Sequence, residues 1–414
     1  DVMARGALGV ETGQRPPRIV DAFRSRAFAV FFLAESQSIA GDQLARVALS
    51  VLVFERTGSA AATGLTFAAT FLPAIFGGSL LGRLGDRFPR RWVMATVDLL
   101  RAALFAVMAI PGMPTASMVG LLVVAVFIGP VFGAAGVSYL AAHLGREVFR
   151  SGTGLRMLSS QGFQVLGFAV GGVAVAAWGP RTVLALDALT FVCSALLIGV
   201  LAPPDAPRAP APDGSAPRGV RAVLWADRRT RTLIALSALA GFFVAPEGVA
   251  VPFAAQLHHS STAAGFLLAA IPLGSVAGIY LLVRRVPADQ RTSAMSVMVV
   301  GCGLPLVLSG AVGSLPLSFA CWLVSGLCAA YQVEVLTQLV QSIPDELRSR
   351  ALGVCNAVLL GAQGIGVAVF GAVSQEWTPQ AAVALAGGVG AACALWLVTG
   401  PLRRSAPASV ASEA

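Results

Sequence analysis

Eight charged side chains stand inside long apolar runs of this sequence, and they are the residues placed to do chemistry: Glu35, Asp42, Arg46, Asp98, Arg101, Asp187, Glu247 and Glu334. A charge in such a run is costly and persists where it is paired or where it handles an ion or a proton. Glu35, Asp42 and Arg46 are seven and four positions apart, so at about 100° per residue they share one helix face. The i,i+4 spacing predicts an ion pair between Asp42 and Arg46. Glu35 lies two turns away with no cation near it in sequence. That setting suits a carboxyl group that carries a proton or binds a ligand; the competing reading is a hydrogen bond within a helix interface. Glu247 stands between Pro246 and Pro252, and proline permits a broken helix with freed carbonyls; this suits a substrate or proton site, with a gating kink that leaves Glu247 near the outer water as the alternative. Glu334, beside Tyr331 and Gln332, is a third acid of the same kind, with a salt bridge between halves as its alternative. Asp98 and Arg101, at i,i+3, read as a structural pair, and Asp187 as structural too.

The elements that hold these residues are apolar runs of membrane-crossing length, about 20 residues each. Of the 414 residues, 56% are hydrophobic and 12% charged, against about 25% charged in a soluble domain. The expected fold is therefore an all-α membrane protein. The runs number twelve: 27–54, 60–82, 92–110, 117–142, 157–178, 182–202, 232–256, 262–284, 292–311, 315–341, 351–375 and 380–401.

All 29 basic residues are arginine. Twenty-five of them fall in the N-terminal tail, in the gaps after even-numbered runs or in the C-terminal tail; Arg56 and Arg181 alone fall in the other gaps. This bias predicts both termini on the cytoplasmic side of a cell membrane. It also explains the net charge of +9 without a nucleic-acid partner. The first residues carry no apolar stretch before a cleavage site, so the first run is expected to direct insertion.

Five regions follow: a cytoplasmic tail over 1–26, a six-helix bundle over 27–202, a cytoplasmic linker over 203–231, a second six-helix bundle over 232–402 and a tail over 403–414. The linker opens Pro203-Pro204-Asp205-Ala206-Pro207 and reads as extended chain. Val220 to Arg231 behind it suits a short amphipathic segment on the membrane surface. The bundles repeat each other. At an offset of 199, Gly162, Gln164, Gly167 and Gly172 match Gly361, Gln363, Gly366 and Gly371, and Gly64 echoes Gly265 nearby. Parallel repeats of this kind suit alternating access around a site between the halves.

The six cysteines all lie in apolar runs, and the His258-His259 pair has no third ligand near it, so no metal site is expected. No cofactor is expected either. A phosphate loop of the G-x-x-x-x-G-K-[ST] kind needs a lysine, and the chain has none. Phe31, Phe32, Phe67, Phe71, Phe127 and Phe132 read as packing or lipid-facing groups, with an apolar pocket as the alternative.

Between the second and third runs stands Gly82-Arg83-Leu84-Gly85-Asp86-Arg87-Phe88-Pro89-Arg90-Arg91. It resembles the G-x-x-x-D-R-x-G-R-[RK] loop of the major facilitator superfamily at Gly82, Asp86, Arg87, Arg90 and Arg91, with Pro89 where glycine is usual. Gly41-Asp42, Glu55-Arg56-Thr57-Gly58-Ser59 and Gly179-Pro180-Arg181 are similar to the macrolide and enterobactin exporter branch. Gly167, Gly171 and Gly172 resemble its antiporter motif G-P-x-x-G-G, with Phe168 in place of proline. The resemblance implies twelve transmembrane helices in two pseudo-symmetric bundles, and a monomer, not an enzyme, that exports small amphipathic compounds in exchange for protons. An importer or uniporter of the same fold and a siderophore exporter are the alternatives. It implies that runs 1, 4, 7 and 10 line the cavity, which places Glu35, Asp42, Arg46, Glu247 and Glu334 on cavity helices. It implies that the Gly82–Arg91 loop is a gate, in which Asp86 meets the start of the eleventh run. Arg87, Arg90 and Arg91 would meet anionic lipid or Asp345 and Glu346.

Overall fold

The computed structural model describes residues 19–81, 87–205, 224–225 and 227–402. Among the described residues there is no strand, and twelve helices run back and forth in chain order. They are α1 (Arg26–Thr57), α2 (Ala60–Ala68 and Leu72–Leu81), α3 (Arg90–Met108), α4 (Thr115–His143), α5 (Arg146–Trp178) and α6 (Pro180–Leu196, continued by the turn Leu197–Leu201). The second half has α7 (Arg228–Ala238, Ala240–Phe243 and Ala245–Gln256), α8 (Ser261–Arg285), α9 (Arg291–Ala311), α10 (Leu315–Ala329 and Tyr331–Ser342), α11 (Asp345–Glu376) and α12 (Pro379–Leu397). Ten of these are long and apolar enough to cross a membrane. The other two, α1 and α3, contain Glu35, Asp42, Arg46, Asp98 and Arg101, and these charges lower their hydropathy.

The turns follow local chemistry. Gly58, with φ of 61°, ends α1 in the left-handed region that favours glycine. The Ser59 hydroxyl then accepts from the Ala62 N–H at 3.1 Å and starts α2. Asp227 does the same for Thr230 at the start of α7, at 2.9 Å. Two boundaries differ from the sequence expectation in a way that matters. α5 begins at Arg146, not 157, so Arg156 lies three turns inside the helix. α11 begins at Asp345, not 351. Both helices start with polar turns that an apolar-run criterion leaves out.

Within each half the helices pack in matching pairs. α1 lies on α5 and α6, and α3 on α4 and α6; in the second half α7 lies on α11, and α9 on α10 and α12. Between halves, α5 packs on α8 and α2 on α11. Those two contacts are made backbone to backbone. A Cβ built on Gly172 would sit 2.8 Å from the Gly265 Cα, and one built on Gly64 would sit 2.8 Å from the Gly371 Cα. Small residues are what allow helices in an apolar medium to approach this closely. The four glycines form two symmetric crossings toward the end opposite the arginine-rich helix ends. There the Gln375 side chain of α11 also accepts from the Ala60 N–H of α2 at 2.8 Å.

Candidate substrate cavity and charged cluster

A cavity of about 620 Å³ lies between the halves. The first half lines it with Gln43, Arg46, Thr70, Phe71, Gln161 and Gln164, the second with Phe243, Glu247, Ser275, Tyr331, Gln332 and Gln363. Gln164 and Gln363 are partners in the 199-residue repeat and reach the cavity from opposite sides. Aliphatic side chains make up about half of the wall, amide, hydroxyl and aromatic groups most of the rest, and Arg46 and Glu247 are the charged residues in it.

Broken helices shape this wall. α7 turns at Leu239 and again at Val244, just before Pro246, so Glu247 falls in the first turn of a new segment. Pro252 sits inside that segment without ending it. α10 breaks at Ala330. The freed carbonyls of α7 are taken up from α10: the Tyr331 hydroxyl donates to the Leu236 carbonyl at 3.0 Å, and the Gln332 amide donates to the Ser237 carbonyl at 3.1 Å. Such repairs let a helix break where it lines a cavity.

The predicted Asp42–Arg46 pair does not form. Asp42 instead pairs with Arg101 of α3 at 2.5 Å. Arg46 lies over the rings of Phe67 and Phe71, at 5.8 and 5.2 Å from their centroids. Residues four apart differ by about 40° around a helix, enough to aim Arg46 at the central cavity and Asp42 at its own bundle. The Asp98–Arg101 pair is replaced by the same contact. Arg101 lies over the Phe191 ring at 4.1 Å and against Gly129 of α4, and makes no direct ion pair with Asp98.

A second cavity, of about 250 Å³, lies inside the first half. Glu35, Asp42, Asp98 and Arg101 line it, and Arg46 and Thr70 line both cavities. Asp187 lies beside it, fully buried between helices. Gly41 makes the room: a Cβ there would fall 2.2 Å from an Asp187 carboxyl oxygen. The Thr190 hydroxyl donates to that same oxygen, Asp187 Oδ1, at 3.1 Å.

Glu35 has a cation that its local sequence does not reveal. Arg156 of α5 grips it with two parallel contacts, at 2.5 and 2.7 Å, and stacks over Phe31 at 4.7 Å. The signal for Arg156 was present only as an arginine at the edge of an apolar run. Glu334 is absent from the central cavity wall; it accepts from Gln338 of its own helix at 2.9 Å, while its neighbours Gln332 and Val333 face the cavity.

Of the loop residues, Gly82 and Asp86 lie outside the described residues, as do the side chains of Asp345 and Glu346. Arg87 is exposed. Arg90 and Arg91 begin α3, and Arg91 is held within its own half, donating to the Ala202 carbonyl at 3.1 Å and lying over Trp92. Gly167 and Gly171 bring α5 onto α1, where a Cβ on Gly167 would fall 2.5 Å from the Ala40 carbonyl; Gly172 faces α8 instead. Phe71 lines the central cavity and Phe132 the smaller one, so two of the six aromatics are pocket residues. Among the described residues the cysteines are free and no group of potential metal ligands forms.

Solved transporters share this fold. A single-substitution mutant of the nucleoside transporter NupG superimposes with a TM-score of 0.73 at 15% identity, covering 91% of this chain and 99% of that one. A bacterial homolog of the human lysosomal transporter Spinster gives 0.68 at 15% identity, covering 95% and 96%. Sequence relatives are nearer. The multidrug efflux pump Tap of Mycobacterium tuberculosis is 28% identical over 373 residues, covering 84% of this chain and 87% of Tap. The enterobactin exporter EntS of Citrobacter koseri is 26% identical over 397 residues, covering 91% and 93%. The sequence also matches the family pattern over residues 31–308 and 248–413. This chain is a multi-pass membrane protein, a transporter and not an enzyme, and it belongs to the Major Facilitator Superfamily.

Proposed function

We propose that this transporter is an exporter of small amphipathic compounds, working by alternating access and exchanging its substrate for protons. It acts as a monomer in the cell membrane, with both termini in the cytoplasm and residues 27–202 and 232–402 as the moving halves. The observation that carries this reading is the central cavity. Its volume of about 620 Å³ falls in the range of about 300–1,000 Å³ that suits drug-sized ligands. Its wall joins aromatic rings and neutral amides to one acid, Glu247, and one base, Arg46. Such a wall accepts an apolar body and orients a single polar or charged group.

The glycine crossings close the end opposite the arginines. With the arginine-rich ends in the cytoplasm, the cavity of this state belongs to the cytoplasmic side, where an exporter loads. The efflux function of Tap and EntS supports the outward direction. Arg46 makes no ion pair among the described residues, which favours a second substrate type, an anionic siderophore of the kind named for EntS.

The test is a drug-susceptibility panel in an efflux-deficient bacterial host expressing the chain, with and without an uncoupler. Raised tolerance to amphipathic compounds, abolished by the uncoupler, is the expected result. Uptake of a labelled compound down its gradient, indifferent to the uncoupler, would instead identify a uniporter or importer.

A further inference from the structure

The charged cluster of the first half stands apart from the central cavity, and its geometry extends the proton-exchange reading, on which this inference rests. Asp98 is 1% exposed and lines the smaller cavity, and neither carboxyl oxygen makes a well-formed hydrogen bond; the Ser194 hydroxyl of α6 interacts with it only loosely. Asp187 Oδ2 is likewise buried without a partner. The groups that face Asp98 come from every neighbouring helix. α1 brings Asp42, Arg46 and Glu35; α3 itself brings Arg101; α6 brings Asp187 and the Ser194 hydroxyl; α4 brings only uncharged groups. Glu35 is already held by Arg156, and Arg101 is held by Asp42.

Three carboxyl groups thus share Arg101, and a buried carboxylate without a partner is strongly disfavoured. The cluster lacks positive charge, and in a cavity of about 250 Å³ a proton supplies it with the least room. We propose that Asp98, with Asp42 and Asp187 around Arg101, holds the proton exchanged in each transport cycle, and that the substrate cavity holds none of it. One proton joins a carboxylate oxygen from the water on one side and leaves to the water on the other; no other bond forms or breaks. While Asp98 is neutral, Arg101 stays on Asp42. When Asp98 is ionised it competes for Arg101 three residues along the same helix, and Asp42 is released toward Arg46 at i,i+4. Arg46 and Thr70 line both cavities, so this exchange is transmitted to the substrate wall.

The experiment uses the full chain in liposomes with ethidium as the probe cation. Two rates are read: ethidium movement driven by an imposed pH gradient, and ethidium exchange with no gradient. Asp98→Asn is expected to lose the gradient-driven rate at least tenfold more than it loses exchange, and Asp98→Glu to restore part of it. Gradient-driven transport by Asp98→Asn within twofold of the unaltered chain would overturn the proposal, as would a sodium gradient replacing the pH gradient. A second measurement needs no variant. A hydrophobic carbodiimide attacks protonated buried carboxyl groups, and mass spectrometry of the unaltered chain should place its adduct on Asp98 or Asp187. An adduct on Glu35 or Glu247 with the cluster spared would overturn it. If the unaltered chain ignores the pH gradient altogether, proton exchange itself fails, a result distinct from failure of this site.

Discussion

Gly172 of α5 and Gly265 of α8 meet across the two halves with no side chain between them; a Cβ on Gly265 would fall 2.5 Å from the Gly172 Cα. Its symmetric counterpart, Gly64 against Gly371, closes the other side of the same end. Gly265→Leu should therefore prevent closure of that end. Overpacking of this kind costs about 1–3 kcal/mol, so the transport rate is expected to fall about tenfold while membrane insertion is retained. Transport assays beside a membrane-fraction immunoblot check this, and full-rate transport would remove the crossing from the gate.

The Glu35–Arg156 pair is expected to matter for stability. Both side chains are more than four-fifths buried, and removing one partner of a buried pair costs about 3–5 kcal/mol. Arg156→Ala should lower the thermal unfolding midpoint in detergent by several degrees. Glu35→Gln with Arg156→Gln together should recover much of the loss, because no charge is then stranded. Equal losses in the single and double variants would show that the pairing contributes little.

Glu247 should govern charge preference. Glu247→Gln keeps the shape of the cavity wall and removes its acid. The expected outcome is about a tenfold loss, equivalent to ~1.4 kcal/mol, in resistance to cationic compounds relative to neutral ones of similar size. Parallel dose–response curves measure it, and an equal shift for both kinds would deny Glu247 a role in selection.

At the start of α7 the Asp227 carboxylate accepts from the Thr230 N–H, and this holds its pKa below the ordinary value. Because the folded value is the lower one, its contribution is present above the unfolded pKa of about 3.9 and is lost as pH falls through the folded value. Asp227→Ala should cost about 1 kcal/mol at neutral pH, the usual worth of such a cap, and nothing at a pH below both values. Thermal unfolding at the two pH values tests the sign.

The number of helices was legible because each membrane crossing needs an apolar run. The glycine repeat was legible because close helix approach restricts residue type, and the crossings of Gly64, Gly172, Gly265 and Gly371 give it a spatial meaning. Partnerships across helices were not legible. Local spacing shows that Asp42 can reach Arg46, but Arg101 lies 59 positions away and Arg156 lies 121 positions from Glu35. Arg156 was further obscured because the polar first turns of α5 look like a loop. Asp98 and Asp187 read as structural because local spacing shows Arg101 beside Asp98 but not that Asp42 and Asp187, from two other runs, converge on the same arginine.

The central claim is that substrate moves out as protons move in. Ethidium fluorescence and an internal pH dye, recorded together in liposomes holding the full chain, test it most directly. The account predicts that ethidium moves against its gradient only while protons run down theirs in the opposite direction, and that an uncoupler stops both. Ethidium that simply equilibrates, with no accompanying change in internal pH, would contradict it.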